Sequence, residues 1–139
     1  MTSGAASSAE AIKQAKATLR AAILTRRDAA DIESRSGDSL AITQKLCALP
    51  AYRAATAVAA YASFGSELDT SAFLARILAD HKQLLLPRIN RAQRALELRH
   101  VADLEADLVS GVWGIREPAQ RCPLPDRPRA ATTGRAARD

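Results

Sequence analysis

Lys16 and Arg20 stand four residues apart in a segment of helical periodicity, so both cations project from one face. Two cations on one rigid element suit a polyphosphate, the lysine as a point charge and the arginine as a bidentate fork. The same spacing also describes the solvated face of an amphipathic helix. A second group lies in Tyr61–Thr70, which reads YASFGSELDT. It follows a short apolar run at the position where open α/β sheets bind ligands, just past the carboxyl end of a strand. Glu67 is an acceptor able to hold an amino-pyrimidine edge or to orient a substrate, or else an exposed loop carboxylate. Asp69 and Thr70 read as helix caps. A third group joins Leu86-Pro87-Arg88 to Trp113-Gly114-Ile115-Arg116-Glu117-Pro118, where the single Trp either stacks on an aromatic ligand or covers a sheet edge. His81 and His100 have no partners in spacing and read as surface residues. The six glycines are scattered, so no glycine-rich phosphate loop is present.

These residues need elements to hold them. Ile12, Ala15, Leu19, Ala22 and Ile23 recur at three- and four-residue steps, which predicts an amphipathic helix over about 8–30. A Ser-Gly-Asp break at 36–38 precedes a second predicted helix, 39–49, with Leu40, Ile42, Leu46 and Leu49 apolar and Pro50 closing it. Ala57–Ala62 is apolar without polar alternation and predicts a strand covered on both faces. A helix from Thr70 with Phe73, Leu74, Ile77 and Leu78 inward follows, and then a strand beginning at Leu84. Strand, helix and strand with short connections make one βαβ unit with parallel pairing. Residues 94–101 alternate and predict a more exposed hairpin partner. Leu104 to Trp113 reads as a turn and short helix, and 114–118 as a connecting loop.

Composition narrows the classes. With 139 residues, 47% apolar and 25% charged, one soluble domain with a real core is expected. No run of 18 apolar residues exists, and the N-terminus has no basic start followed by an apolar stretch, so neither a membrane partner nor secretion is expected. Cys47 and Cys122 make neither a metal spacing nor a disulfide framework, which fits a reduced cytoplasmic protein. Residues 1–118 hold 15 Lys and Arg against 13 Asp and Glu, a net of +2; residues 119–139 hold five Arg against two Asp, a net of +3. The basic end contains no aromatic residue, so no nucleic-acid partner is expected.

In order and spacing, K-A-T-L-R at 16–20, A-Y-A-S-F-G-S-E-L-D-T at 60–70, L-L-L-P-R at 84–88, L-E-L-R at 96–99 and W-G-I-R-E-P at 113–118 resemble the 5-formyltetrahydrofolate cyclo-ligases. No single motif is specific; five in register over about 110 residues are. The resemblance implies an α/β class, a partial α/β/α layered domain with a small, mostly parallel sheet, related to the sugar-isomerase and CoA-transferase folds. It implies a ligase forming C–N bonds, in which ATP and Mg²⁺ convert 5-formyltetrahydrofolate to 5,10-methenyltetrahydrofolate in a monomer. Carried over by motif, Lys16 and Arg20 bind ATP, Glu67 holds the folate, and Ala62 lines the same pocket. No metal ligand is assigned.

The resemblance covers 8–118 as the N-terminal portion of such a domain. Cys122-Pro123-Leu124 still fits it. The family's later apolar strands and its glycine- and tyrosine-rich phosphate loop have no counterpart in 119–139. Beyond Leu124 no large apolar residue occurs, and ordering such a stretch costs about 1–2 kcal/mol per residue without burial to offset it. Residues 119–139 are therefore expected to be disordered or out of frame, and the chain to be a truncated copy, weakly active or inactive. The alternatives are a non-catalytic folate- or nucleotide-binding fragment and a gene remnant.

Overall fold

The computed structural model describes residues 3–126, with side chains from Ser7 onward. In chain order the elements are α1 (Ser3–Asp28), α2 (Ile32–Ala48), α3 (Pro50–Ala54), β1 (Ala57–Ala59), α4 (Ser71–Ala79), β2 (Gln83–Asn90), β3 (Ala95–Val101), β4 (Leu108–Ser110), a 3-10 turn at Val112–Gly114, and β5 (Arg116–Pro118). The class is α/β. β1 pairs parallel with β2 and β2 antiparallel with β3, so β2 is the central strand; β4 and β5 form a separate antiparallel ribbon. The expected parallel βαβ unit and hairpin partner are both present.

The core grows from the spacing of apolar residues on α4. Leu74 and Ile77, three apart and on one face, are buried, with Phe73 and Leu78 packed beside them. They meet Leu84 and Leu86, which share the inward face of β2, Val101 opposite Leu84 on β3, Tyr52 of α3 and Leu108 of β4. Each side chain fully removed from water contributes about 1.5–3 kcal/mol. The Tyr52 hydroxyl donates to Asp80 Oδ2 at 2.8 Å, and Lys82 Nζ lies 5.0 Å from the Tyr52 ring centroid while donating to Ala55 O at 2.6 Å. These bonds fasten α3 to the end of α4. Pro87 is tolerated in a central strand because β1 stops early: the last parallel pair is Ala59 with Leu85.

Several expectations change. α2 runs unbroken through Gly37 from an N-cap at Asp31, whose Oδ2 accepts from Ser34 N at 2.9 Å; one good cap outweighs the weak helix propensity of Ser-Gly-Asp. Its buried positions are Ser39, bonded to the 63–70 loop, and Thr43, whereas Leu40 and Ile42 are exposed. β1 is not covered on both faces: Ala57 and Ala59 are exposed and only Val58 is half-buried. Thr70 occupies the N-cap position of α4 without a capping bond from its side chain. Residues 116–118 form a strand rather than a loop. The apolar stripe of α1 has nothing to bury against, and every residue from Ser7 to Arg26 is exposed.

The start of the 119–139 segment is also packed. Ala119 and Cys122 are buried, Ala119 N donates to Asp107 O at 2.8 Å, and His100 N donates to Pro123 O at 2.8 Å. Both cysteines are free thiols. Residues 127–139 lie outside the described residues. Among the described residues no helix is long and apolar enough to cross a membrane.

Two stability outcomes are expected. Ile77→Ala, at a fully buried position, loses about 2–5 kcal/mol, whereas Leu19→Ala on the exposed stripe stays within about 0.5 kcal/mol. Urea unfolding followed by circular dichroism checks the contrast, and equal losses would mean that α1 is packed. Asp107 accepts from Ala102 N at 2.9 Å and Asp103 N at 3.0 Å, and these backbone bonds, followed by Arg121, hold its carboxyl below the usual range. A folded-state pKa below the unfolded value means the stabilisation is present at neutral pH, full above the unfolded pKa of about 3.9, and lost as pH falls through the lowered folded value. Asp107→Asn therefore melts below the parent at pH 7, and the gap closes as pH falls below the unfolded pKa of about 3.9 and through the lowered folded value. A gap that does not narrow at acid pH would contradict the assignment.

Candidate functional site

The loop after β1 is held by its own short polar side chains. Thr70 Oγ1 donates to Tyr61 O at 2.7 Å and accepts from Ser63 N at 3.0 Å, while Ser63 Oγ accepts from Thr70 N at 3.0 Å. This reciprocal clamp explains why Thr70 is buried and does not cap the helix. Asp69 caps instead: its Oδ1 accepts from the Ser71 hydroxyl and from Ser71 N at 2.9 Å, bonds that keep its carboxyl below the usual range. Ser39 Oγ of α2 accepts from Asp69 N at 3.0 Å. Inside the clamp the chain reverses at Gly65, whose φ of +60° suits a residue without Cβ. Glu67 Oε2 accepts from Phe64 N at 3.0 Å across that turn, and Oε1 has no hydrogen-bond partner among the described residues.

Glu67 and Ala62 line one cavity of about 230 Å³ beyond the carboxyl end of β1 and alongside the second half of β2. Tyr61 and Phe64 stand on the loop side, Pro87 and Ile89 on the β2 side, and Ile115 closes it from the ribbon. A mostly apolar slot bordered by two carboxylates, Glu67 and the arginine-paired Glu117, can take a flat heterocycle whose edge donates hydrogen bonds.

The ribbon is fixed by Arg88. Its Nη1 donates to Glu117 Oε1 at 3.1 Å and to Pro118 O at 2.7 Å. Both partners are largely withdrawn from solvent, at 23% and 13% side-chain exposure, so removing either would leave a poorly solvated charge. Gly111 lets Glu117 lie there: a Cβ at 111 would come within 2.5 Å of Glu117 Cδ. On the other side of Glu117 lies a second, polar cavity of about 410 Å³, which shares Ile89, Val112 and Glu117 with the first.

Of the residues singled out from the sequence, the structure brings Glu67 and Ala62 together, and it joins L-P-R to W-G-I-R-E-P through Arg88 and Glu117. Lys16 and Arg20 sit exposed on α1 and line neither of the two cavities that Glu67 borders. The bond from α1 nearest to this site runs from Arg27 Nε to Ser66 Oγ at 3.4 Å. Trp113 covers no sheet edge and lines none of these cavities. It is 81% exposed at the tip of the 3-10 turn, with φ of +57°. Pro87 and Ile115 belong to the third group singled out from the sequence, whereas Ile89 and Leu96 carry no signal there beyond lying beside or inside a motif. Among the described residues no group of three or more His, Cys, Asp or Glu is arranged to hold a metal.

The comparisons with known proteins agree on one family. The 5-formyltetrahydrofolate cyclo-ligase family model matches residues 12–130. A Caenorhabditis elegans protein named Probable 5-formyltetrahydrofolate cyclo-ligase is 26% identical over 110 residues, covering 78% of this chain and 53% of that protein. The NMR structure of Aquifex aeolicus 5,10-methenyltetrahydrofolate synthetase superposes with a TM-score of 0.66 at 28% identity, covering 76% of this chain and 52% of that one. The chain thus spans about half the length of the relatives it matches. With the match extending over most of its sequence and the strand-end loop folded around Glu67, the chain belongs to the 5-formyltetrahydrofolate cyclo-ligase family.

Proposed function

We propose that the Glu67 cavity binds the pterin end of 5-formyltetrahydrofolate, and that the chain takes part in its ATP-dependent conversion to 5,10-methenyltetrahydrofolate. The observation that carries this reading is that Glu67 and Ala62 border a single apolar cavity at the strand ends. A pterin presents a ring N–H beside an amino group, and a carboxylate with one unengaged oxygen is a matched acceptor for that edge. Tyr61 and Phe64 supply aromatic surface for the ring faces.

In the reaction the formyl oxygen attacks the terminal phosphoryl group of ATP, ADP departs, and the side-arm nitrogen closes the ring as phosphate leaves. The transferring phosphoryl group needs positive charge around it. Lys16 and Arg20 fit that need as two solvent-facing cations one helical turn apart. Mg²⁺ typically keeps several waters and binds through substrate phosphates with one or two carboxylates, so it would arrive on the triphosphate. We read the chain as a cytoplasmic monomer of weak turnover, because the described residues offer two exposed side chains and no backbone cradle for phosphate. A second reading, a folate- or nucleotide-binding fragment without turnover, is favoured by the separation of Lys16 and Arg20 from the Glu67 cavities.

Glu67 also supports the turn, so its two roles must be separated. Glu67→Gln keeps an acceptor oxygen for Phe64 N but removes the charge. It is expected to weaken 5-formyltetrahydrofolate binding by about 10- to 100-fold with little change in melting temperature, whereas Glu67→Ala lowers both. Lys16→Ala with Arg20→Ala is expected to weaken ATP and leave folate binding alone. Isothermal titration of each ligand checks these outcomes, and unchanged folate affinity in Glu67→Gln would remove the reading. Phosphate release with ATP, Mg²⁺ and 5-formyltetrahydrofolate separates weak turnover from none.

A further inference from the structure

The polar cavity beside the proposed pterin site has an unequal set of charges. Arg88, Arg91 and Arg99 line it against Glu97 and Glu117, a formal excess of one positive charge. Two of the arginines are committed. Arg88 holds Glu117 and Pro118 O, as described. Arg99 donates from Nη2 to Glu97 Oε2 at 2.7 Å and from Nη1 to Gln120 O at 3.1 Å and Cys122 O at 2.9 Å. Asn90 Nδ2 donates to Glu97 Oε1 at 2.5 Å, and this bond, followed by Arg99, holds the Glu97 carboxyl below the usual range. Both carboxylates are therefore already engaged by arginines. The Arg91 side chain, exposed at the β2–β3 turn, has no hydrogen bond or ion pair among the described residues.

We propose that this cavity takes the carboxylates of the glutamyl tail of 5-formyltetrahydrofolate, with Arg91 as the cation that binds them; the proposal rests on the pterin assignment above. Three features support it. The two cavities adjoin, sharing Ile89, Val112 and Glu117 in their walls, so a ligand seated against Glu67 need only pass the Glu117 partition to reach the polar one. The linings match a ligand that is flat and apolar at one end and anionic at the other: the pterin side is mostly hydrophobic, and the far side carries the unpaired guanidinium. The committed ion pairs give the cavity fixed walls, so the ordering that binding requires is confined to the Arg91 side chain. A guanidinium binds a carboxylate through two parallel N–H groups, which favours this anion over a diffuse counterion.

The test uses the 139-residue chain and four ligands: 5-formyltetrahydrofolate, its triglutamate form, 5-formyl-6-methyltetrahydropterin (which lacks the benzoylglutamate) and ATP. Arg91→Ala is expected to weaken 5-formyltetrahydrofolate by about three- to tenfold, a partly exposed charged hydrogen bond. The triglutamate should weaken at least as much, and the tailless pterin and ATP should be unchanged. Arg91→Glu should weaken the tailed ligands further. Arg94→Asn in the same turn, which lines neither cavity and tolerates the φ of +50° there, should behave as the parent. Equal loss for tailed and tailless ligands, no loss for either, or a loss confined to ATP would each overturn the proposal. If the parent chain binds no tailless pterin, or Glu67→Gln binds it unchanged, the pterin assignment fails and this proposal falls with it. If the Glu67 result holds and only the Arg91 result fails, the tail site alone is wrong.

Discussion

The part-buried Arg88–Glu117 pair is the contact on which the shape of the site depends. β4 and β5 form only a three-residue ribbon, too short to hold a position by itself. Arg88 reaches it from β2 with two hydrogen bonds, one to the Glu117 carboxylate and one to the Pro118 carbonyl, so charge and backbone are fixed together. A buried pair of this kind contributes little net stability, because desolvation offsets much of the attraction. Its effect is geometric. Glu117 becomes a partition with an apolar cavity on one side and a polar one on the other, and Gly111 is the residue whose missing Cβ leaves room for it.

The same economy recurs in the strand-end loop. Between Tyr61 and Thr70 the backbone is fixed by Ser63, Thr70, Asp69 and Ser39 rather than by apolar packing, and Gly65 alone takes a left-handed conformation there. A loop satisfied by its own short side chains needs no thick core beneath it, which suits a three-stranded sheet with one short parallel edge. Glu67 depends on this arrangement: its Oε2 spans the turn, and the residues flanking it on both sides are tied down.

What the sequence made legible follows interaction range. The βαβ unit was readable because Leu74, Ile77, Leu84 and Leu86 carry their burial pattern within one helix and one strand. Glu67 is readable as a candidate because it lies in the loop after a strand, whereas Ala62 comes only from the resemblance. The stripe on α1 was readable as a pattern but not as a contact, since periodicity reports a face and not its partner. The inward face of α2 is not legible because it is marked by Ser39, bonded to the 63–70 loop, and by Thr43, and hydrophobic periodicity cannot register a serine buried for its hydroxyl. β5 was taken for a loop because its pairing with β4 leaves no alternation in three residues. Arg91 gave no signal: one arginine among twenty cations matters only after its neighbours are seen to be paired.

The two halves of the proposed reaction are therefore held unequally. The folate side is set by bonds that cross between the loop, β2 and the ribbon, each from a side chain at least partly removed from solvent. The nucleotide side rests on α1, whose described link to the loop is one hydrogen bond of 3.4 Å near its carboxyl end. Lys16 lies 11 residues before Arg27, about 16 Å along a helix, so a small change in angle at Arg27 moves its ammonium by several ångströms. Phosphoryl transfer depends on reacting atoms brought to about 3–3.5 Å and kept aligned. A substrate can be recognised by the first arrangement alone; turnover requires the second to be held as firmly. In the proposed reading, this difference in mechanical support is what would separate binding from turnover.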